Sequence, residues 1–234
     1  MSIGSRLLNQ CSKPSGRLGR FTLWNMNHRH SKVTEWGLKH VRVQKSDTIL
    51  DVGCGGGVTV ARLAALATEE KTYGVDYSEE SVAAAQRRNR QSIDANRVEI
   101  LHASVSHLPF PDQMFDLVTA VETHYYWPDL NADMREILRV LKPGRALIVI
   151  AEAYRGGKYD RLLQRLEQLR GIMNYAHLSA EEHRELFEKA GYSDVQLFEE
   201  YEKGWICATG KRRVAADPHS GIAVPQKYFS KNGL

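Results

Sequence analysis

A glycine-rich segment flanked by two acidic residues is the most chemically informative part of this sequence. It reads Asp51-Val-Gly-Cys-Gly-Gly-Gly57, and Asp76 follows 19 residues after Gly57. Glycine lets the backbone adopt positive φ and approach a ligand closely. A carboxylate at the end of the next strand, where Asp76 stands, can accept both hydroxyls of a ribose. The combination indicates a site for an adenosine-type ligand.

The charge before the loop distinguishes between classes of nucleotide. Counted from Gly53 and Gly55, the dinucleotide pattern G-x-G-x-x-G requires a third glycine where the sequence has Val58. Phosphate gives no reason for the negative Asp51, and the sequence has no G-x-x-x-x-G-K-[ST] loop for a triphosphate. S-adenosylmethionine (SAM) carries an ammonium and a sulfonium but no phosphate. The loop therefore favours SAM, and a nicotinamide cofactor is the weakest alternative.

Strands and helices alternate along the chain and must position these residues. Strands are predicted at 48–52, 72–75, 98–101, 116–121 and 146–151, and helices at 58–67, 78–90 and 129–141. A capping box at Ser179 begins a further helix, which ends at Gly191. Strands near 195–198 and 205–209 are joined by a short turn, so they must pair as an antiparallel hairpin. The pattern predicts an α/β fold with a Rossmann-like, doubly wound sheet of seven strands, mostly parallel.

Four segments resemble the class I SAM-dependent methyltransferases, in the group that includes quinone-biosynthesis and other small-molecule methyltransferases. They are DVGCGGG at 51–57, GVDYS at 74–78, LPFPDQMFD at 108–116 and RVLKPG at 139–144. The resemblance covers residues 46–210 and implies SAM as cofactor and S-adenosylhomocysteine as product. It leaves the acceptor undefined, because this fold hosts many functions.

The resemblance also implies roles for single residues. Asp51 and the loop backbone face the methionine end of SAM, Asp76 takes the ribose hydroxyls and Tyr77 lies against the adenine. Ser104 departs from the family, since many relatives have an aspartate there that accepts from the adenine amino group. The complete predicted cofactor set is Asp51, Gly53, Cys54, Gly55, Gly57, Asp76, Tyr77, Ser78, Ser104, Val105, Val121, Glu122 and His30.

A second group of chemically active side chains follows the fourth predicted strand and reads Glu122-Thr-His-Tyr-Tyr-Trp-Pro128. In related enzymes this loop faces the transferring methyl group. His124 is a candidate general base, because imidazole titrates near neutral pH. Glu122 could pair with a cationic acceptor or the sulfonium, and the aromatic rings, Tyr126 among them, could hold a flat or cationic substrate. Methyl transfer by SN2 often needs only positioning, so the use of a base stays open.

The remaining segments are expected to surround this domain. Residues 1–45 are predicted to form a helical lid or arm, with helical spacing from 21 to 43. Residues 155–178 are expected to be a substrate-recognition insertion with a helix at 159–169 and with Tyr175 and His177 as pocket candidates. Residues 211–234 are expected to be a tail. No metal site is predicted, because His28, His30 and His40 lack a nearby set of Asp or Cys partners.

Charge is distributed unevenly over the 234 residues, whose total is +4. Residues 1–45 carry +8 and residues 211–234 carry +4, so residues 46–210 carry −8. A basic arm on an acidic body could contact nucleic acid, an anionic substrate or the body itself. The basic residues match no nucleic-acid-binding motif, so nucleic acid is not expected as a partner.

Composition excludes several other classes of protein. Mean hydropathy is −0.43, and the sequence has no apolar run near the length of a membrane span. Three widely spaced cysteines argue against a disulfide framework and favour the cytoplasm.

We therefore predict a monofunctional SAM-dependent methyltransferase that acts on a small molecule by direct SN2 transfer, as a monomer or homodimer. The alternatives are an RNA or protein methyltransferase that uses the basic arm, or a non-catalytic SAM-binding regulatory protein. The first is disfavoured because the Asn/Asp-Pro-Pro-Tyr/Phe motif of many N-methyltransferases does not follow the fourth strand.

Overall fold

Seven strands form one sheet in the computed structural model, which describes residues 30–161, 164 and 177–214. The strands are β1 (Ile49–Val52), β2 (Thr72–Asp76), β3 (Val98–His102), β4 (Phe115–Val121), β5 (Leu141–Ala151), β6 (Tyr192–Glu200) and β7 (Trp205–Arg212). Their order is β3-β2-β1-β4-β5-β7-β6. Strands β1 to β5 pair in parallel, and β7 runs antiparallel to both β5 and β6. The predicted fold class, including the antiparallel hairpin at its end, is confirmed.

Helices follow most of the parallel strands, as the alternation predicted. They are α1 (Ser31–Leu38), α2 (Val58–Leu66), α3 (Glu79–Arg88), α4 (Arg90–Asp94), α5 (Leu130–Val140) and α6 (Ala180–Ala190). Two 3-10 turns lie at His124–Tyr126 and Tyr201–Lys203. The chain reverses its direction of winding between β1 and β4, and open sheets of this kind bind ligands at that switch point.

The central strands are buried on both faces. In β1, Leu50 and Val52 pack into the cluster on one face, and Ile49 packs with Val33 and Leu63 on the other. Complete burial of such a side chain stabilises the fold by about 1.5–3 kcal/mol. A strand covered on both sides needs a nearly continuous apolar sequence, which is why Asp51 stands out within β1.

Most helix ends follow the local signals. Ser179 and Glu182 form the predicted capping box of α6, and Gly191 ends the helix with φ of 103°. The Ser78 hydroxyl caps α3, and the Asp129 carboxylate caps α5 by accepting from two backbone N–H groups. These contacts lie within four residues of the cap, so the sequence alone was sufficient to predict them.

Several predicted boundaries were wrong, two of them because of contacts between residues far apart in the sequence. The helix expected over 78–90 breaks at Asn89, whose side-chain Nδ2 donates to the carbonyl oxygens of Gly57 and Ala85 at 3.0 and 2.9 Å. Strand β5 begins at Leu141 instead of residue 146, because Leu141 pairs with Phe115 of β4 ahead of a register shift. Gly144, with φ of 75°, lies inside the strand and does not precede it.

Several predicted regions lie partly or wholly outside the described residues. Of the helix predicted over 21–43, α1 is the described helical part, residues 39–43 are described and are not helical, and residues 1–29 lie outside the described part. The insertion is described at 155–161, 164, 177 and 178, so Tyr175 and most of the predicted 159–169 helix fall outside it. Residues 215–234 of the predicted tail are outside as well. The division into lid, domain, insertion and tail stays a prediction.

Candidate functional site

A cavity of about 350 Å³ opens where β1, β2 and β4 end, at the switch point of the sheet. A volume of this size is typical of small-molecule sites. Most of the predicted cofactor set lines it, namely Asp51, Gly53, Cys54, Gly55, Asp76, Tyr77, Ser104, Val105, Val121, Glu122 and His30. Two members of that set, Gly57 and Ser78, are not among the lining residues. Gly57 precedes α2, and Ser78 caps α3.

The glycine loop is held in a shape that side chains would disrupt. Gly53, Gly55 and Gly57 have φ of 68°, 51° and 75°. A Cβ at Gly53 would lie 2.0 Å from Oγ1 of Thr123, and one at Gly57 would lie 2.5 Å from Nδ2 of Asn89. The loop therefore packs against the end of β4 on one side and the end of α3 on the other. Sequence reasoning missed both contacts, because Thr123 and Asn89 are distant in the sequence.

Asp76 ties the end of β2 to the glycine loop. Its Oδ2 accepts from the backbone N–H of Gly55 at 2.9 Å, and its Oδ1 accepts from the N–H of Ser78 at 2.9 Å. Burial raises the pKa of this carboxyl, and the two backbone hydrogen bonds oppose that rise. The carboxylate is 8% exposed and faces the cavity, as a ribose-binding carboxylate must.

Asp51 is the more deeply buried of the two acids, at 2% exposure. The Thr119 hydroxyl donates to its Oδ1 at 2.5 Å. Burial raises the pKa of Asp51 to about 7, the nearby charge of Asp76 adds to this, and the Thr119 hydrogen bond opposes it. A cation bound beside Asp51 would favour its charged form and lower that pKa again.

Residues 122–128, called the acceptor loop here for their predicted role, place some of their predicted site residues at the cavity and one away from it. Glu122, Tyr126, Trp127 and Pro128 line the cavity. Glu122 has φ of 56°, and its carboxylate accepts from the backbone N–H of Glu152. This bond joins the ends of β4 and β5.

His124, the predicted general base, does not line the cavity. The 3-10 turn at His124–Tyr126 directs its side chain into the protein, where it is 1% exposed. Its Nε2 lies 3.1 Å from Nε2 of His183 in α6, and burial lowers its pKa well below the usual 6.5. The residue that sequence reasoning assigned to proton abstraction is therefore a buried partner of another histidine. Spacing alone could not reveal the direction of its side chain.

The start of helix α1 forms another part of the cavity lining. His30, Ser31 and Thr34 line the cavity, and Thr34 was not predicted. The Arg62 guanidinium donates to the Ser31 carbonyl oxygen at 3.1 Å and to its hydroxyl at 3.0 Å, which fixes the start of α1 to α2. His30 Nε2 lies 3.8 Å from Oε2 of Glu152. The start of the predicted lid thus contacts both α2 and the residue that follows β5.

Within the described ranges, no group of three or more His, Cys, Asp or Glu side chains has the arrangement of a metal site. No helix in those ranges is both apolar enough and long enough to span a membrane.

Residues 50–149 match the family described as a methyltransferase domain. This segment therefore resembles a methyltransferase domain, and the strand order and the position of the cavity agree with the match.

Particular relatives follow from the comparison with curated proteins. A demethylmenaquinone methyltransferase of Geobacillus sp. is 32% identical over 123 residues, which cover 52% of this chain and 52% of that protein. Methyltransferase GfsG of Streptomyces halstedii is 32% identical over 170 residues, which cover 71% of this chain and 60% of that protein. The chain spans about half the length of the curated relatives it matches first.

A solved structure shares the fold. A SAM-dependent methyltransferase of Thermotoga maritima superposes with a TM-score of 0.66 at 23% identity, covering 84% of this chain and 96% of that one.

Proposed function

We propose that this protein transfers a methyl group from SAM to a small-molecule acceptor by direct SN2 displacement and releases S-adenosylhomocysteine. The observation that carries the proposal is the single cavity in which the glycine loop, Asp51 and Asp76 meet the aromatic acceptor loop. The methyltransferase match of residues 50–149 and the methyltransferase names of the curated relatives support it.

The cofactor half of the cavity suits SAM. The Asp76 carboxylate, fixed by the backbone of Gly55 and Ser78, accepts the ribose hydroxyls. Buried Asp51 gains a cationic partner in the ammonium of the methionine moiety, which offsets the cost of burying its charge. Tyr77, 42% exposed, offers its ring to the adenine, and Ser104 at the same wall supplies an uncharged acceptor.

The acceptor half combines aromatic rings with a carboxylate. Tyr126 and Trp127 form a wall for a flat acceptor, and Glu122 stands beside them. The described lining includes three carboxylates but neither lysine nor arginine. A neutral or cationic acceptor therefore suits this wall better than an anion. Because His124 is turned away, Glu122 and Tyr126 are the candidates for direct contact with the acceptor, and positioning supplies most of the rate enhancement.

A small acceptor fits the enclosure better than a macromolecule. His30, Ser31 and Thr34 contribute to the cavity lining, and Arg62 anchors the start of α1 to α2, so this segment borders the space in which the methyl group is transferred. Cys54 and Cys207 are both free and buried, in keeping with a reducing compartment, and we place the reaction in the cytoplasm.

The proposal is tested with methyl-labelled SAM and the purified full-length protein. Hydroquinones, phenols and aromatic amines are offered one at a time, and RNA and protein extracts are offered in parallel. Label in a small product supports the proposal, and label confined to RNA or protein contradicts it. Asp76→Ala serves as the inactive control and Asp94→Asn, on exposed α4, as the matched surface control.

A further inference from the structure

Two buried histidines join the acceptor loop to a distant helix. Nε2 of His124 lies 3.1 Å from Nε2 of His183, which is 59 residues further along the chain in α6. The ring centroids are 5.1 Å apart, and each residue is 1% exposed. Neither ring takes part in the proposed methyl transfer.

The hydrogen-bond partners define which nitrogen carries each proton. Nδ1 of His183 lies 2.8 Å from the Ser179 carbonyl oxygen, which can only accept, so this Nδ1 carries a proton. In its neutral form His183 then has a lone pair on Nε2, and His124 must donate its Nε2–H to it. Nδ1 of His124 is left as a buried lone pair with no hydrogen-bond partner. The contact therefore requires one particular pair of tautomers.

The groups that face the pair favour its neutral form. Burial lowers the pKa of both histidines below 6.5, and the charge of His177 lowers that of His183 further. The Ser179 carbonyl and Glu182 oppose the shift at His183, but Glu182 is itself engaged by the Ser179 N–H and by Arg155. A proton added to the His183 lone pair would set N–H against N–H and break the contact.

The pair joins a firmly held helix start to the cavity wall. The start of α6 is fixed by its capping box and by the Arg155–Glu182 ion pair. On the other side, the Trp127 N–H donates to the His124 carbonyl oxygen at 3.3 Å, and the two rings meet edge to face with centroids 6.4 Å apart. The turn that directs the His124 side chain towards His183 is therefore the same turn that places Tyr126 and Trp127 at the cavity.

We propose that His183 is a positioning residue of this site: by accepting a hydrogen bond from the Nε2–H of His124 it holds the aromatic wall in place, and a proton added to Nε2 of His183 releases that wall. The proposal rests on the proposed function in one respect, since the wall is taken to receive the methyl acceptor. The hydrogen bond between His124 and His183 is present in the protein without ligand, and its effect on the wall is measured in that form.

The direct test is nuclear magnetic resonance of the full-length protein labelled with ¹⁵N in histidine and tryptophan, titrated from about pH 8 to about pH 5. Trp127→Phe identifies the indole signal of Trp127. We expect His183 protonated on Nδ1, His124 protonated on Nε2, and both titrating below 6.5. The Trp127 indole signal should move with the midpoint of His183, whose protonation breaks the contact. Opposite tautomers, a midpoint at or above 6.5, or an indole signal that ignores the titration would overturn the proposal.

Two substitutions separate positioning from packing. His183→Leu removes the acceptor and keeps the volume, whereas His183→Gln keeps an acceptor oxygen that does not titrate. At neutral pH the leucine variant should shift the Trp127 signal and the glutamine variant should restore it, with its acid transition lost. If the leucine variant fails to fold, the comparison of wild type with His183→Gln decides alone, because an unchanged acid transition in the glutamine variant contradicts the proposal.

Kinetics and ligand binding distinguish this proposal from the proposed function. With any acceptor that the labelled-SAM assay reveals, His183→Leu should raise the KM for acceptor about five- to tenfold, the effect of losing one hydrogen bond, while leaving the KM for SAM unchanged. An equal rise in both KM values would indicate a general structural defect. Failure of the wild type to bind S-adenosylhomocysteine would refute the proposed function. The tautomers and the indole response would still show whether His183 positions the acceptor loop through His124.

Discussion

At the scale of one residue, Asp51 is a buried acid whose charged form lowers the stability of the protein without ligand. Its carboxyl is buried within an otherwise apolar strand, and its pKa is raised from 3.8 to about 7. Between those values the folded state binds more protons than the unfolded state, so stability falls as pH rises through 7. The destabilisation caused by burying the Asp51 carboxylate is therefore absent at acidic pH, where the group is protonated, and is complete above its folded-state pKa.

Asp51→Asn should therefore stabilise the protein without ligand, and more so at alkaline pH. Relative to wild type, we expect little difference near pH 4 and a gain on the order of a few kcal/mol above about pH 8. Urea unfolding at several pH values measures this, with Asp94→Asn as the control for loss of a surface acid. The variant should also bind S-adenosylhomocysteine more weakly. A variant as stable as wild type at every pH would show that Asp51 carries no burial cost.

Substitution of Asp76 is expected to change ligand affinity. Asp76→Ala removes the proposed ribose acceptor and the partner of the Gly55 N–H. S-adenosylhomocysteine should therefore bind at least about tenfold more weakly, since a hydrogen bond to a charged group contributes about 1.5–3 kcal/mol. Calorimetry of the variant beside Asp94→Asn checks this. Equal affinities in the two variants would remove Asp76 from the cofactor site.

Residue types could be read from the sequence, but side-chain directions could not. Asp51 and Asp76 were predictable because the strand pattern places both at one edge of the sheet. The orientation of His124 was not, because it depends on a 3-10 turn and on a partner 59 residues away.

At the scale of elements, the glycine loop and the end of β4 form one packed unit. Gly53→Ala meets two penalties, a positive φ and a contact with Thr123 Oγ1 at 2.0 Å. Gly156 has φ of 89° with no atom near its Cβ position, so Gly156→Ala meets only the first.

We expect Gly156→Ala to destabilise the protein by about 1–2 kcal/mol and Gly53→Ala to destabilise it by clearly more. Thermal unfolding of both variants measures the difference. Similar losses in the two variants would mean that the loop relaxes away from Thr123, contrary to a tightly packed junction.

Local signals and distant pairings differ in how far they can be predicted. The caps at Ser78, Ser179 and Gly191 were predictable, because each cap and its partners lie within a few residues. The start of β5 at Leu141 was not, because it depends on pairing with Phe115 across the sheet. The break at Asn89 has the same origin, since its side chain is recruited by the glycine loop.

At the scale of the whole molecule, the cavity joins elements that are far apart in sequence. Residues from α1, the loops after β1 and β2, and the end of β4 line it together. A ligand bound there contacts only the folded state and must therefore stabilise it.

S-adenosylhomocysteine at a hundredfold excess over its Kd should raise the free energy of unfolding by about 2.7 kcal/mol. For a chain of this size that corresponds to a rise of about 5–11 °C in the unfolding midpoint. A thermal scan with and without ligand detects it, and Asp76→Ala provides the control. A midpoint unaffected by ligand in the wild type would contradict a site built across these elements.

The central claim is that this cavity holds SAM, and isothermal calorimetry on the full-length protein tests it most directly. S-adenosylhomocysteine and SAM should each bind at one site per chain, and NAD(H) should not bind. Binding of NAD(H), or no binding of either sulfur ligand, would contradict the assignment of Asp51, Asp76 and the glycine loop to a SAM site.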